Sequence, residues 1–206
     1  MSDWATFRQE AFGEPYLVWH DGPDFTEFQS RFAADPELAT RMLAAGLAEG
    51  DQLAAQTPRE LTLTDGQRAT FVRMLTEALP DANGGVQLEA AASLFALTGE
   101  PAWAAPVAAV LASALFWSVR IDAAMRLRPF PPTASLVAVL ADAVRDPEYL
   151  VRYHSANTLL AWAGRPADVS EDETLFGLLT PDDEPESWER AAEQLAAAVP
   201  LPPVTA

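Results

Sequence analysis

The sequence predicts an all-α protein built from stacked pairs of helices, because one helical pattern occurs three times along the chain. The copies begin at Val86, Val119 and Val151, which lie 33 and 32 residues apart. In each copy an Ala follows the Val by five positions and a Leu follows it by eight, which is the spacing of one helix face. These residues are Ala91, Ala124 and Ala156, and then Leu94, Leu127 and Leu159. A second helical segment precedes each copy, at about 67–79, 102–114 and 133–145. A two-helix repeat with this period is typical of an α-solenoid, a curved stack of helix pairs.

The third copy also carries two charged residues at fixed positions, Asp146 in the turn and Arg152 six residues later. The other copies keep one of these residues and replace the other: Arg120 occurs with Ala114, and Asp81 occurs with Gln87. Together with the Val, Ala and Leu positions, the pattern resembles that of HEAT repeats (armadillo/HEAT superfamily) over about residues 65–165. The resemblance implies a right-handed α-α superhelix in which the turn Asp and the Arg bond between neighbouring repeats.

Arg152 falls on the apolar face of its helix, so its guanidinium needs an acidic partner. The ladder implied by the resemblance would supply one, and it would make Asp146 and Asp81 structural residues. The alternative is an anion-binding groove around the arginine.

The segments before the repeats favour shorter helices, most of them opened by an aspartate that can cap the first turn. The predicted helices are residues 3–12, Asp24 to about Phe32, the segment after Asp35-Pro36, and a turn or two after Asp51. YLVWH at 16–20 is either a short strand or, because a lone strand has no partner, a tucked loop. The phase of residues 24–58 is unclear, so we do not count them as a repeat.

Caps predict the other helix boundaries. Thr64 and Gln67 form a T-x-x-Q capping box, and a second box begins at Ser170. Asp146-Pro147 would open the last repeat helix and Gly164 would end it. Ser187 would cap the final helix, and residues 200–206 are expected to be extended or disordered.

We expect one all-α domain over residues 1–206. Residues 1–60 would form an N-terminal helical cap, 61–165 the HEAT-like repeats, and 166–206 a set of acidic C-terminal helices. A short solenoid needs such caps, because they cover the apolar faces at its two ends.

The composition limits the possible partners. The net charge is −17, all 13 basic residues are arginine, and there is no cysteine. Such acidity argues against binding to nucleic-acid phosphates and against docking on anionic lipid. A basic protein would suit the charge, although the acidity also serves solubility alone. The N-terminus lacks the pattern of a signal peptide, and the longest apolar run, near 102–119, is broken by Pro106. We therefore expect a cytoplasmic protein with no membrane partner.

One row of polar residues follows the repeats. Glu89, Asp122 and His154 each lie three positions after the Val, on the side predicted to face away from the core. A histidine with two carboxylates is a plausible metal or acid/base set. Packed helices place such residues about 10 Å apart, which is too far for shared coordination. We therefore predict no metal, no cofactor and no catalytic residue here, and favour a binding face over a solvated surface. His20, beside Asp21 and Asp24, is read as a surface histidine rather than a cation ligand.

Aromatic and arginine side chains complete the candidate contact set, because these types dominate binding energy at interfaces. The candidates for partner binding are Glu89, Trp117, Asp122, Arg126, Tyr149, Tyr153, His154 and Asn157. Thr158 would share the outward edge of its helix with several of them.

The expected function is non-catalytic binding of a basic protein partner along an acidic repeat surface. Small acidic HEAT-like chains also include immunity proteins that neutralise a basic toxin. The alternative is an enzyme or enzyme subunit of the chromophore-lyase type, with a polar groove around Glu89, Asp122 and His154. A DNA base-excision enzyme conflicts with the charge, and a scaffold subunit would need an extended apolar patch.

Overall fold

The computed structural model describes residues 3–201, apart from the side chains of residues 17, 19 and 21. Within that range the chain is helical with no strand, as the sequence predicts. The helices are α1 (Asp3–Phe12), α2 (Pro15–Asp21), α3 (Phe25–Ala34), α4 (Pro36–Ala48), α5 (Gln52–Gln56), α6 (Asp65–Ala78), α7 (Gly84–Thr98), α8 (Ala104–Ser113), α9 (Trp117–Leu127), α10 (Ala134–Ala143), α11 (Tyr149–Trp162), α12 (Glu173–Leu179) and α13 (Pro185–Ala198). Short 3-10 turns lie at Thr57–Glu60, Leu79–Asp81, Pro101–Trp103 and Val169–Glu171.

The chain divides into two compact units, residues 1–100 and 101–206. In the first unit, α4 pairs with α5 and α6 pairs with α7. The two pairs lie one on the other, because α4 contacts α6 and α5 contacts α7. Helices α1 and α3 pack on α4. The core of this unit is built mainly from Phe28, Phe32, Leu43, Leu53, Phe71, Leu75, Leu88 and Leu94.

Trp4 makes the main contact between α1 and the α4–α5 turn. Trp4 is buried, and its indole Nε1 donates to Oδ2 of Asp51 at 3.0 Å. Its ring lies against Gly46 of α4, where a Cβ atom would come within 2.5 Å of the indole. Arg8 also reaches the Asp51 carboxylate, at 2.8 Å. The α4–α5 turn therefore uses its aspartate to fasten the N-terminal helix.

The second unit contains three helix pairs, α8–α9, α10–α11 and α12–α13. Helix α8 contacts α10, and α10 contacts α13. Helix α9 contacts α11, and α11 contacts both α12 and α13. The C-terminal pair packs on α10 and α11 mainly through α13, so its packing differs from that of the pairs before it, in which α8 meets α10 and α9 meets α11.

The repeat pattern predicts burial correctly in all three copies. The small residue five positions after each Val and the Leu eight positions after it are all fully buried. In two copies a hydroxyl two positions beyond the Ala adds a bond to the equivalent helix of the preceding pair. Ser93 of α7 donates to the Ala55 carbonyl of α5 at 2.7 Å, and Thr158 of α11 donates to the Ala124 carbonyl of α9 at 2.8 Å. Since Ala124 lies five positions after its Val, the equivalent Ala55 sets the phase of a further copy in α4–α5, with Gly50 at the Val position.

Most predicted helix starts in the first unit are confirmed. Asp24, Asp35 and Asp51 each accept from backbone N–H groups of the first turn that follows. Thr64 and Gln67 make both bonds of the capping box. The YLVWH segment is different, because it lies within α2 and not in a strand or loop. Local helical bonds, such as Val18 N–H to the Glu14 carbonyl at 3.1 Å, satisfy its backbone.

Several predicted boundaries in the second unit are wrong by a few residues. Helix α11 begins at Tyr149, because the Asp146 carboxylate is occupied by Arg120 and by the Glu148 N–H. Asp172 caps α12 in place of Ser170, since Asp168 holds Ser170 in the preceding 3-10 turn.

Of two further predicted boundaries, the start of α13 at Ser187 is wrong and the end of α11 at Gly164 is confirmed. Helix α13 begins before Ser187, which is buried inside it. Gly164 does end α11, with a φ of +72°. The expected extended tail lies mostly outside the described residues.

Candidate functional site

One rung of the predicted Asp–Arg ladder is present in the second unit. Arg120 Nε donates to Asp146 Oδ2 at 2.8 Å and its Nη2 donates to Oδ1 at 2.9 Å. Both side chains are largely buried, with exposed fractions of 16% and 12%. Arg120 Nη1 also donates to the Ala114 carbonyl at 2.9 Å. Ala114 is the residue that the second copy has in place of the turn Asp. This two-bond pair joins neighbouring helix pairs, so both residues are structural.

Arg152 does not use the carboxylate partner expected from its sequence position. It is completely buried, and it donates to the carbonyls of Leu179, Asp146 and Pro147 at 2.8–3.0 Å. Asp182 is 3.4 Å away and 81% exposed, so it contributes little. The guanidinium carbon lies 4.1 Å from the centre of the Trp188 ring. With every side of the guanidinium covered by the chain itself, no anion-binding groove forms around it.

Glu89 does not face solvent as predicted. Its exposed fraction is 8%, and its carboxylate forms an ion pair with Arg59. Glu89 lies three positions after Val86, and Arg59 lies nine positions after Gly50, which begins the copy before it. The ion pair therefore joins two neighbouring copies. Glu89 is therefore part of the packing of the first unit, and its assignment to a partner-binding face is wrong.

In the second unit, His154 has the position relative to Val151 that Glu89 has relative to Val86. His154 is half-buried and Asp122 is exposed. Burial lowers the pKa of His154, the nearby positive charge of Arg128 lowers it further, and Asp122 raises it. Arg128 follows Val119 by nine positions, as Arg59 follows Gly50. The lowered pKa favours the neutral imidazole.

Three other residues of α11 that were predicted to face outward or to bind a partner make contacts within the chain. Asn157 is buried, and its Oδ1 accepts from the Val169 N–H at 2.7 Å, which corrects its assignment to a binding face. Thr158 is likewise buried. The hydroxyl of Tyr153 donates to Asp168 at 2.8 Å, and the pKa of Asp168 is lowered by its bonds to Ser170 and to Tyr153.

Tyr149 and Arg126 remain partly accessible. Tyr149 is half-buried beside the Tyr153 ring, with 5.9 Å between ring centres, and burial raises the pKa of its hydroxyl. Arg126 is also half-buried. Their positions on the surface allow contact with a partner, which remains a prediction.

The turn between α8 and α9 exposes three consecutive large apolar residues. The exposed fractions are 92% for Leu115, 72% for Phe116 and 46% for Trp117. On the next helix pair, Leu150 is 43% exposed beside Tyr149, which holds the position relative to Val151 that Trp117 holds relative to Val119. Arg120 and Asp146 join these two turns. The accessible apolar residues of the two turns are here called the apolar edge: Leu115, Phe116, Trp117, Tyr149 and Leu150. Sequence reasoning found Trp117 and Tyr149 and missed the rest, because Leu115 and Phe116 lie in the apolar run near 102–119 and have the composition of core residues.

The described residues contain no group of three or more His, Cys, Asp or Glu side chains that could hold a metal ion. Among residues 3–201 no helix has both the length and the apolar character needed to cross a membrane. Comparison of the chain with protein-family models, with curated proteins and with solved structures finds no match.

Proposed function

We propose that this chain is a non-catalytic, HEAT-like interaction module that binds a basic protein partner through the apolar edge. The observation that carries the proposal is the exposure of Leu115, Phe116 and Trp117 on a chain with a net charge of −17. An immunity protein that neutralises a basic toxin is the specific case we favour, and a cytoplasmic location suits it.

The packing of the helix pairs supports the HEAT-like part of the proposal. The pairs α4–α5 and α6–α7 contact each other through equivalent helices, and so do the pairs α8–α9 and α10–α11. The buried Ala and Leu positions and the Arg120–Asp146 pair follow the repeat pattern. We infer that the pairs belong to a right-handed superhelix, in which the helix-start turns of successive pairs lie along one edge.

The chemistry of the apolar edge favours a protein partner. Aromatic side chains in the middle of an interface bury much area at low cost in conformational entropy, and they dominate binding energy where they occur. Acidic groups lie close by: Asp142, next to the Arg120–Asp146 pair, has an 82% exposed side chain. Apolar anchors bordered by acidic side chains fit a surface that presents apolar pockets among basic residues.

The enzymatic alternative has less support. It needs Glu89, Asp122 and His154 as one set of polar groups, and the Glu89 carboxylate is buried in its pair with Arg59. Without Glu89, His154 and Asp122 are a pair and not the three-residue set that this alternative needs.

The test is affinity capture from the source cells with two matched baits, the wild-type chain and the double variant Phe116→Ser, Trp117→Ser. We expect one basic protein on the first bait and at least about a tenfold weaker association on the second, because each buried aromatic anchor typically contributes about 2 kcal/mol. Met125→Ser, an exposed apolar change on the same helix, is the matched control and should bind like the wild type.

The purified complex then gives the electrostatic test. Its Kd should rise steeply as NaCl increases from about 50 to about 500 mM, because screening weakens attraction between an acidic and a basic surface. An acidic partner, or a complex whose affinity does not change with salt, would contradict the proposal.

A further inference from the structure

A groove of about 510 Å³ lies on the first unit between the end of α4, the end of α6 and the start of α7. Its lining is mainly apolar and includes Leu47, Met74 and Ala78. Two acidic residues, Glu77 and Asp81, also line it, and both are exposed. Neither carboxylate has a hydrogen-bond or ion-pair partner among the side chains and backbone groups of residues 3–201.

The second unit contains a related groove, two copies further along the chain. There α8 and α10 form a smaller groove of about 340 Å³. Four of its lining residues hold the same positions relative to Val151 that four residues of the first groove hold relative to Val86. The matching pairs are Val139 with Met74, Asp142 with Glu77, Ala143 with Ala78, and Asp146 with Asp81.

The chain itself supplies a guanidinium group in the wall of the second groove. Arg120 lines this groove and makes two bonds, at 2.8 and 2.9 Å, to Asp146. Asp142, the other acid of this groove, pairs with Arg145 at 3.0 Å. This groove geometry therefore binds a guanidinium group against the turn aspartate.

The first groove lacks both arginines. Arg120 directly follows the Val of its copy, and the equivalent position in the α4–α5 copy, after Gly50, is Asp51. Asp51 is turned to Trp4 and Arg8, with contacts of 3.0 and 2.8 Å. The position equivalent to Arg145 is Pro80. Glu77 and Asp81 therefore line a groove of the same kind, but no arginine of the described residues pairs with them as Arg120 and Arg145 pair with the acids of the second groove.

We propose that this groove binds an arginine side chain of a protein partner, which takes the place of the missing internal arginine. The planar guanidinium would make two parallel bonds to Asp81, as Arg120 does to Asp146, with Glu77 as the second negative charge. The aliphatic stem of the arginine would lie over Leu47, Met74 and Ala78. The inference rests on the proposed binding of a basic partner, and it names one contact that such a partner makes.

The test uses a small probe, so it does not depend on finding the partner. N-acetyl-arginine methylamide is titrated into the ¹⁵N-labelled full chain, and amide shifts are followed by NMR. We expect saturable shifts confined to residues 44–50 and 74–86, with a Kd in the millimolar range, roughly what a few charged hydrogen bonds provide. The neutral isostere N-acetyl-citrulline methylamide should produce no saturable shifts.

Asp81→Asn should weaken the probe at least about tenfold, and Glu77→Gln should weaken it less, because Asp81 makes the two bonds. Both residues are exposed and unpaired, so the variants should keep the wild-type circular dichroism spectrum and melting curve. The double variant Glu171→Gln, Glu186→Gln removes two exposed charges from the other unit and should bind the probe like the wild type. Shifts spread evenly over acidic residues, or equal binding by Asp81→Asn, would overturn the inference.

The partner complex separates this inference from the proposed function. If Phe116→Ser, Trp117→Ser abolishes binding of the basic partner while Asp81→Asn leaves its Kd unchanged, the interaction module stands and the arginine groove is refuted. If the probe binds in the groove and no basic partner exists, the proposed function fails and the groove remains as a guanidinium site.

Discussion

Replacing Arg152 by methionine tests how the C-terminal helices are attached to the rest of the second unit. The guanidinium is fully buried and donates to three carbonyls at 2.8–3.0 Å, one of them Leu179 at the end of α12. It also stacks on the Trp188 ring of α13 at 4.1 Å. Methionine keeps most of the aliphatic volume and removes all of these contacts, so the change isolates the polar part of the interaction.

The magnitude follows from the contacts. Each short bond from a charged donor contributes about 1.5 kcal/mol net at the low end of its range, and a desolvated cation–π contact contributes about 2 kcal/mol. Removal of the buried charge also relieves its desolvation cost, which is several kcal/mol. We therefore expect Arg152→Met to lower the free energy of unfolding by about 3 kcal/mol, part of which is the cost of carbonyls left without donors.

Urea denaturation followed by far-ultraviolet circular dichroism measures this change, with Arg165→Met as the matched control. Arg165 is 44% exposed and pairs with Asp172 at the surface, so its loss should cost less than about 1 kcal/mol. Because the chain has two compact units, hydrogen exchange should accompany the melts. Protection should fall in α12 and α13 and stay unchanged in α6 and α7. Equal losses for the two variants, or exchange that rises evenly along the chain, would refute the assigned role of Arg152.

Two further predictions concern packing and titration. Gly46→Ala should destabilise the chain by about 2 kcal/mol in the same urea assay, because its Cβ would lie 2.5 Å from the Trp4 indole. Gly177→Ala, which meets open space inside a helix, should stabilise it by about 0.5–1 kcal/mol, and the reverse order would contradict the packing. NMR titration of His154 should give a pKa below 6.5, and Arg128→Gln should raise it. Because the folded-state pKa is the lower one, the unfolded chain binds the proton first. The stability contributed by His154 is therefore complete above about pH 6.5 and is lost as the pH falls from there through the folded-state pKa. A pKa above 6.5 would show that burial and Arg128 do not dominate.

The repeat core could be predicted because it depends on local periodicity. Ala91 and Leu94 recur with one helical spacing, and their counterparts are buried in every copy. Caps such as Asp35 and Thr64 act on the N–H groups two or three residues ahead, so they too can be read directly from the sequence. The capping prediction failed at Asp146 because Arg120, 26 positions earlier, donates hydrogen bonds to its carboxylate.

The candidate site was less predictable, because surface and core differ by partners that are distant in sequence. Glu89 has the spacing of an outward residue, yet Arg59, 30 positions earlier, draws it into the packing. Asn157 is likewise buried by a bond to Val169 beyond the end of its helix. Phe116 has the composition of a core residue and is 72% exposed, because it lies in the turn before α9. Helical spacing specifies an angle around one helix, and it carries no information about what other segment covers that angle.

The sequence alone determines that this protein is all-helical and that three copies share one buried Ala and Leu pattern, because hydrophobic periodicity and capping are local properties. Only the tertiary structure decides which charges remain available for binding. Asp146 has the internal guanidinium of Arg120, while Asp81 has none, because the residue in the matching position is Asp51 and its carboxylate holds Trp4. Whether a carboxylate is paired depends on distances between residues far apart in the chain, and those distances are set by packing.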